Sequence, residues 1–402
     1  MKYFRGIIIF QLFISIAWFG FGQNQNSADS LKLIYESGHY ENELEILAAL
    51  ARDETNPDES LKYADILIEK ASEETDGKYL VEAYLNKGYA YSSKGDFYGA
   101  INSFFKTIEL SKKHQPKQPV ARYYITVADA YASLDDRMEA EKYYREHIPS
   151  LSESEDAKSL AIALLNAGDN AFHLKDYDLA LDRLEKSEVL FSKLEEPVVL
   201  APALIKGNRG MIYTDLGEHE KAKQLLQEAL DILEDNPFPP ASSMYLLYLA
   251  QIASVDKDYK MAFKLAHEGL ESATAYGLKK EMSKANEKLH ELHNAIGNSD
   301  SAMIYYKRYI NLKESIINAQ TSNKIASLTN NFRFEQQKAE TVKAQQTQKI
   351  ILISSVIVLV LLGLLAFGLF RRNQFIRKTN IIIERERNRS DHLLKNILPA
   401  ET

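Results

Sequence analysis

Alanines recur through this sequence at a spacing that few folds accommodate. Ala64, Ala100, Ala140, Ala180, Ala222, Ala262 and Ala302 are separated by 36, 40, 40, 42, 40 and 40 residues. Four residues beyond them stand Ile68, Phe104, Tyr144, Leu184, Leu226 and Tyr306, with Ala266 the one exception to a bulky side chain. Twelve residues before them a second small residue recurs as Gly88, Ala128, Gly168, Gly210 and Ala250, and the last unit departs with His290. Small residues at two fixed points let two antiparallel helices approach closely, and the bulky residue one turn on is expected to fill the groove between neighbouring pairs. Turn signals such as Lys94-Gly95-Asp96, Leu216-Gly217-Glu218 and Gly297-Asn298-Ser299-Asp300 separate the helical stretches. No alternating β pattern of any length competes with this reading. A unit of this size cannot bury its own apolar face, so the units must stack. The sequence predicts an all-α solenoid of about seven helix pairs.

Chemistry is sparse. The chain has no cysteine, which removes disulfides, thiolate metal sites, cysteine nucleophiles and lipoprotein anchoring together. His290, Glu291 and His293 resemble a metal site only at first sight, because a helical pair of zinc ligands needs i and i+4 and these stand at i and i+3. Packing in the last repeat explains them. There is no phosphate-cradling glycine loop, dinucleotide fingerprint or nucleophile elbow. No cofactor or catalytic constellation is expected within residues 1–402.

Two apolar segments set a topology. Residues 1–22 carry Lys2 and Arg5, an apolar run over 7–19, and Gly20 and Gly22 at the −3 and −1 positions of a cut before Gln23. That pattern predicts a secretory signal peptide. Residues 350–370 are 21 residues without a charge, enough helix to cross about 30 Å of hydrocarbon. Seven Lys/Arg lie across 371–390 against four across 330–349, so the C-terminal side is expected in the cytoplasm. The exported part, 23–349, carries a net charge of −13 and the tail, 371–402, a net charge of +4. An acidic exported part argues against nucleic acid as a partner. The expected order is a solenoid over 23–316, a juxtamembrane coiled-coil helix over 317–349, a span in the lipid bilayer over 350–370, and a cytoplasmic signalling helix from 371.

Tyr84, Gly88, Tyr91, Gly95, Phe97, Ala100 and Phe104 stand at the spacing of a known motif, and Gly168, Tyr177 and Ala180 repeat part of it. In this the chain resembles the tetratricopeptide repeat family, well over about 81–316 and loosely over 41–80. The motif's tryptophan position is Tyr or Leu here, and the period is nearer forty than thirty-four. The resemblance implies a protein-binding solenoid whose first helices line a concave face. Tyr89, Arg122, Asp129, Asp169, His173, Asp215 and Gln251 are then the candidate groove residues, facing an unknown periplasmic protein or peptide. A subclass of the family clamps a peptide's terminal carboxylate with Lys, Asn and Arg. The matching positions here are rich in Asp and Tyr, which speaks against that activity.

Beyond the solenoid, Ile325, Leu328 and Phe332 begin an apolar seam at three- and four-residue steps, suited to a helix pairing with a copy of itself. Ile376, Ile383 and Ile397 keep a seven-residue rhythm past the apolar span. Leu393, Leu394, Asn396, Ile397, Leu398 and Pro399 match the Leu-Leu-x-Asn-Ile-Leu-Pro signature that leads into bacterial class III adenylate/guanylate cyclase domains. The resemblance implies the sensor and transmitter of a parallel homodimeric receptor in a bacterial inner membrane, with a cyclase output beginning near 402. Two alternatives stand beside it. His392 and its neighbours loosely resemble the phosphoacceptor box of sensor histidine kinases, and a membrane-tethered periplasmic scaffold would carry the same solenoid.

Overall fold

The computed structural model describes residues 25–72, 77–117, 119–152 and 157–397. It divides into two compact units, Met1–Ser327 and Leu328–Thr402. The expected signal segment 1–22, with Leu398 and Pro399, lies outside the described residues.

In the first unit a leading helix, α1 (Gln25–Ser37), precedes seven helix pairs. They are α2 (Glu43–Asp53) with α3 (Pro57–Ala71), α4 (Lys78–Ser93) with α5 (Phe97–His114), and α6 (Ala121–Ser133) with α7 (Arg137–Ser152). There follow α8 (Ala157–His173) with α9 (Tyr177–Phe191), α10 (Ala201–Asp215) with α11 (His219–Asp235), and α12 (Pro239–Val255) with α13 (Tyr259–Ala275). The last pair is α14 (Lys279–Ala295) with the start of α15 (Ser299–Ile397). Among the described residues there is no strand. The fold is a tetratricopeptide-type solenoid.

The alanine register explains the packing. All seven repeat alanines lie on the second helix of their pair, and none is more than 2% exposed. The bulky residue four places on meets the small residue of its own pair in several units, and Tyr144 also packs with Ala163 and Ala167 of the following pair. A Cβ added to Gly88 would sit 2.3 Å from the Phe104 ring, and one on Gly210 would sit 2.6 Å from Leu226 Cγ. Neighbouring pairs are joined by other contacts. Tyr245 of α12 fills the space that a Cβ on Gly207 of α10 would need.

The turns inside six of the seven pairs share one design. Gly95, Asp135, Lys175, Gly217, Lys257 and Gly297 all take positive φ, between 63° and 79°. The next residue caps the following helix in most of them. Asp96, Asp176 and Asp258 accept backbone N–H bonds from Gly99, Leu179 and Met261 at 2.9, 3.2 and 3.0 Å. Each such cap contributes about 1 kcal/mol. Three of the six positive-φ sites are not glycine, and each carries a steric cost of roughly 1 kcal/mol.

Pairs three and four are tied by a buried ion pair. Arg183 of α9 donates to both carboxylate oxygens of Glu141 on α7, at 2.8 and 2.7 Å, and to the Ala167 carbonyl at 2.9 Å. Asn170 of α8 adds a bond to the same carboxylate at 3.3 Å. Two charges so enclosed hold together only because their hydrogen bonds are filled.

In the second unit, the described part is the remainder of α15. Over 350–370 its apolar side chains are exposed; Leu352, Leu359 and Leu365 each show about two thirds of their surface. Gln345–Leu393 contains a stretch of mean hydropathy 3.1, long and apolar enough to cross a membrane by length and composition. Ile376 and Ile383 are exposed. Ile325, Leu328, Phe332, Leu394 and Ile397 fall on α15 with side chains outside the description.

Candidate ligand groove

The first helices of the middle and last pairs share a cavity of about 580 Å³. α8 and α10 supply polar groups to it, among them Asn166, Asp169, His173 and Asn208. α12 supplies Met244, Tyr245 and Tyr248, and α14 supplies Lys279, Lys280, Glu281 and Lys284. The remaining wall comes from the start of α15. Lys313, Ser315, Ile316, Ile317, Ala319 and Gln320 line the same space as Lys94, Gly95 and Phe97 of the second pair. Lys279 Nζ donates to Ser315 Oγ at 3.2 Å, and Lys324 Nζ lies 5.9 Å from the Tyr98 ring centre. The helix leaving the solenoid therefore crosses its hollow side before it goes on. Residues 317–320, expected to open a separate coiled coil, first serve the groove.

Two buried amides distinguish the polar lining. Asn166 and Asn208 are 7% and 3% exposed. Asn166 donates to the Asp129 carboxylate at 3.0 Å, yet its other end has no partner among the described residues. One end of the Asn208 amide is equally unpaired there. A buried polar atom without a partner costs about 1–3 kcal/mol, and Asn170 Oδ1 and Asn286 Oδ1, outside the cavity lining, are equally unpaired among the described residues.

The seven groove candidates separate into two sets. Asp129, Asp169 and His173 line the cavity. Asp129 is nonetheless committed to structure: Tyr144 Oη and Asn166 both donate to it. Burial raises its pKa to about 6 against the pull of those two bonds. Asp169 lies 3.3 Å from Arg137 and 3.7 Å from His173. Burial works to raise the Asp169 pKa, but His173, Arg137, Lys280 and Lys284 outweigh it and hold the carboxylate below its ordinary range. Burial lowers the His173 pKa to about 4, more than neighbouring Asp169 raises it.

Tyr89, Arg122, Asp215 and Gln251 do not line this cavity. Tyr89 packs its ring 5.4 Å from Phe104, and Arg122 folds onto the Tyr123 hydroxyl at 2.7 Å. Asp215 accepts from Lys175 and Tyr177 at 2.6 and 3.2 Å, joining the turn of one pair to the next. Gln251 accepts from Lys288 at 3.3 Å. The two histidines of the last repeat serve packing. His290 Nδ1 pairs with the Ala302 carbonyl at 2.9 Å, and His293 stacks on Tyr305 with ring centres 5.3 Å apart.

Sequence reasoning missed Asn166, Asn208, Arg137 and the lysines of α14. A signal for the first two existed. Asn86, Asn166 and Asn208 each stand two residues before the repeat's small residue, Gly88, Gly168 and Gly210. With Lys279, Lys280 and Lys284 in place, the groove is not the Asp- and Tyr-rich surface expected from the first-helix positions.

The tetratricopeptide repeat pattern matches residues 159–235 and 81–114. No curated protein matches the sequence. Among solved structures, the chain is similar to a Rap protein complexed with competence and sporulation factor. That likeness has 17% identity over 75% of this chain and 96% of the other, with a TM-score of 0.55. It is also similar to the quorum sensor NprR from B. thuringiensis in its apo form, at 14% identity over 72% and 98% of the two chains and a TM-score of 0.53. NprR in complex with its cognate peptide NprX matches at 14% identity over 76% and 86%, with the same TM-score. At such identity the likeness establishes the solenoid fold alone.

Proposed function

We propose that this protein is a membrane receptor whose exported solenoid takes a peptide, or an extended segment of a partner protein, into the groove and reports its occupancy through α15. The observation that carries the reading is that one cavity combines polar groups and aromatic rings of the first helices with a wall made by the departing helix. Backbone N–H and C=O groups of an extended peptide are a natural complement of a lining that mixes polar and aromatic side chains. Solved solenoids of similar fold include complexes with competence and sporulation factor and with the peptide NprX, which supports a peptide as ligand.

A ligand touching the α15 wall shifts the helix only by the difference in its affinity for two positions of that wall, about 1.4 kcal/mol for each factor of ten. The apolar span, the basic bias of 371–390 and the pattern over 1–22 support a single-pass placement in a bacterial inner membrane, with the solenoid in the periplasm. The residues around 393–399 favour a nucleotide cyclase as output, the helix pairing with that of a second copy. To test the relay, the chain is fused after Thr402 to a cyclase catalytic domain and one to three residues are inserted after Arg372. Cyclase activity that follows the helical phase of the insertions supports the reading. Activity indifferent to phase contradicts it.

A further inference from the structure

In pairs one, two, three, four and six the second helix turns one face toward the pair that follows, and the repeat register identifies its residues. Counted from the repeat alanine, they stand one, five and eight places on. One place on, Asp65 pairs with Lys87 of the second pair, Glu141 pairs with Arg183 of the fourth, and the Phe263 ring lies 4.6 Å from that of His293 in the seventh. Five places on, Phe105 and His267 meet Tyr143 and Tyr305 of the pairs that follow them, with ring centres 6.2 and 6.1 Å apart. Eight places on, Glu188 accepts from Arg209 of the fifth pair at 2.6 Å.

The same three places in the last pair hold Met303, Lys307 and Ile310, and among the described residues no pair follows. Met303 is 53% exposed, Lys307 is exposed and Ile310 is half-buried. Neighbouring Ile304 and Tyr306 are exposed as well. A solenoid that ends in solvent closes with a polar outer face, because exposed apolar surface invites association. This one keeps apolar residues at two of its three contact places.

The row to which Met303 and Ile310 belong indicates what covers them. α15 is one unbroken helix, Ser299–Ile397. Ile310, Ile317, Ile325, Leu328 and Phe332 stand 7, 14, 22, 25 and 29 residues after Met303 in the sequence. At 3.6 residues per turn those counts are close to two, four, six, seven and eight whole turns. The last three are the residues whose spacing suits a helix pairing with a copy of itself. By residue count, the end face is thus in phase with that seam, and Ile310 precedes Ile325 by 15 residues, about 22 Å of helix. A second copy paired at the seam is the partner within reach of this face.

We infer that the open end of the solenoid is a self-association surface, on which Met303 and Ile310 of one copy pack against the same residues of a second. This rests on the pairing of α15 proposed above and carries it from the seam onto the last repeat. Ile317, between the two stretches, borders the ligand groove. Ligand contact and self-association therefore meet on one short part of α15.

The test uses the full chain in detergent micelles, where the absence of native cysteine lets single thiols be compared. The variants are Met303→Cys, Phe332→Cys and Arg308→Cys, the last exposed on another side of the same helix. Each is oxidised with copper phenanthroline, and the disulfide-linked dimer is followed on non-reducing gels. The inference expects dimer at both 303 and 332, forming at least roughly tenfold faster at 303 than at 308, as two thiols held close together require. Met303→Glu, added to Phe332→Cys, should slow the cross-link at 332, and Met303→Leu should leave it unchanged. Cross-linking at 332 with 303 no faster than 308 overturns the end-face contact and leaves the α15 pairing standing. A rate at 332 indifferent to Met303→Glu does the same. No dimer at either 303 or 332 overturns both.

Discussion

The middle pairs and the last pair of the solenoid are built on the same register and packed differently. In three of the earlier pairs a glycine accepts the bulky partner directly, as Gly88 accepts Phe104, Gly168 accepts Leu184 and Gly210 accepts Leu226. In the last pair the glycine's place is taken by His290, whose ring lies 5.1 Å from Tyr306, and Tyr306 is exposed. Wetter packing is expected of a terminal repeat, which has no following pair to cover it. Here it also coincides with a change of task. The middle pairs give the groove amides and aromatic rings, whereas the last pair gives it lysines and a helix that does not stop. Tight packing and ligand contact are thus assigned to different parts of one repeating plan.

That contrast can be broken or sharpened by mutation. The largest effect belongs to the buried tie between pairs three and four. Arg183→Met leaves Glu141 charged and enclosed, and should cost about 3–5 kcal/mol in chemical denaturation. A loss below 1 kcal/mol would mean that the pair is solvated in the folded chain.

The next effect depends on pH. Asp129 has its folded pKa raised from 3.8 to about 6, so the folded state holds its proton more tightly than the unfolded state. Its contribution is fully present below about pH 4 and is lost as pH rises through 6, amounting to about 3 kcal/mol by pH 7. Asp129→Asn can still accept from Tyr144 and Asn166. The variant should therefore gain on the wild type as pH rises from 4 to 7, and a gap that stays constant over that range would refute the ionisation account.

The third comparison tests the register itself. Gly210→Ala places a methyl against Leu226, including its backbone nitrogen at 3.2 Å, and should cost about 1–3 kcal/mol. His290→Ala, the same position in the last pair, should cost less, about 1 kcal/mol, since a half-buried hydrogen bond to the Ala302 carbonyl and a ring contact with exposed Tyr306 are lost. Equal losses would show that the last pair is packed like the others. The smallest effect is a gain. Lys257→Gly removes a side chain from a positive-φ turn and should raise stability by up to about 1 kcal/mol, measured as a shifted denaturation midpoint.

Much of the solenoid was legible because its packing is local. An alanine and a small residue sixteen places from the bulky one fix each pair without reference to the rest, and all seven alanines are buried as the spacing implied. The groove was legible only in part. Asp169 and His173 follow from the register, and Asn166 and Asn208 could have been found the same way. Asp129 shares the register of Asp169 yet is bound by Tyr144, a contact that depends on one residue in the partner helix. The α15 wall was not legible at all. It depends on how far the stacked pairs curve, which sums small rotations over the whole solenoid and leaves no mark at residues 313–320.

The central claim is that the helix leaving the solenoid forms part of its ligand site. A chain without cysteine accepts a single thiol reporter, so Ala319→Cys, exposed on the groove wall, can be compared with Lys307→Cys, exposed on the same helix away from the groove. The decisive measurement is the rate at which each thiol reacts with a maleimide in the full chain, with and without a bound peptide. The account predicts that peptide slows the reaction at 319 by at least roughly tenfold and leaves 307 unchanged, as burial of one site requires. Bound peptide with equal reaction rates at 319 in its presence and absence would contradict it.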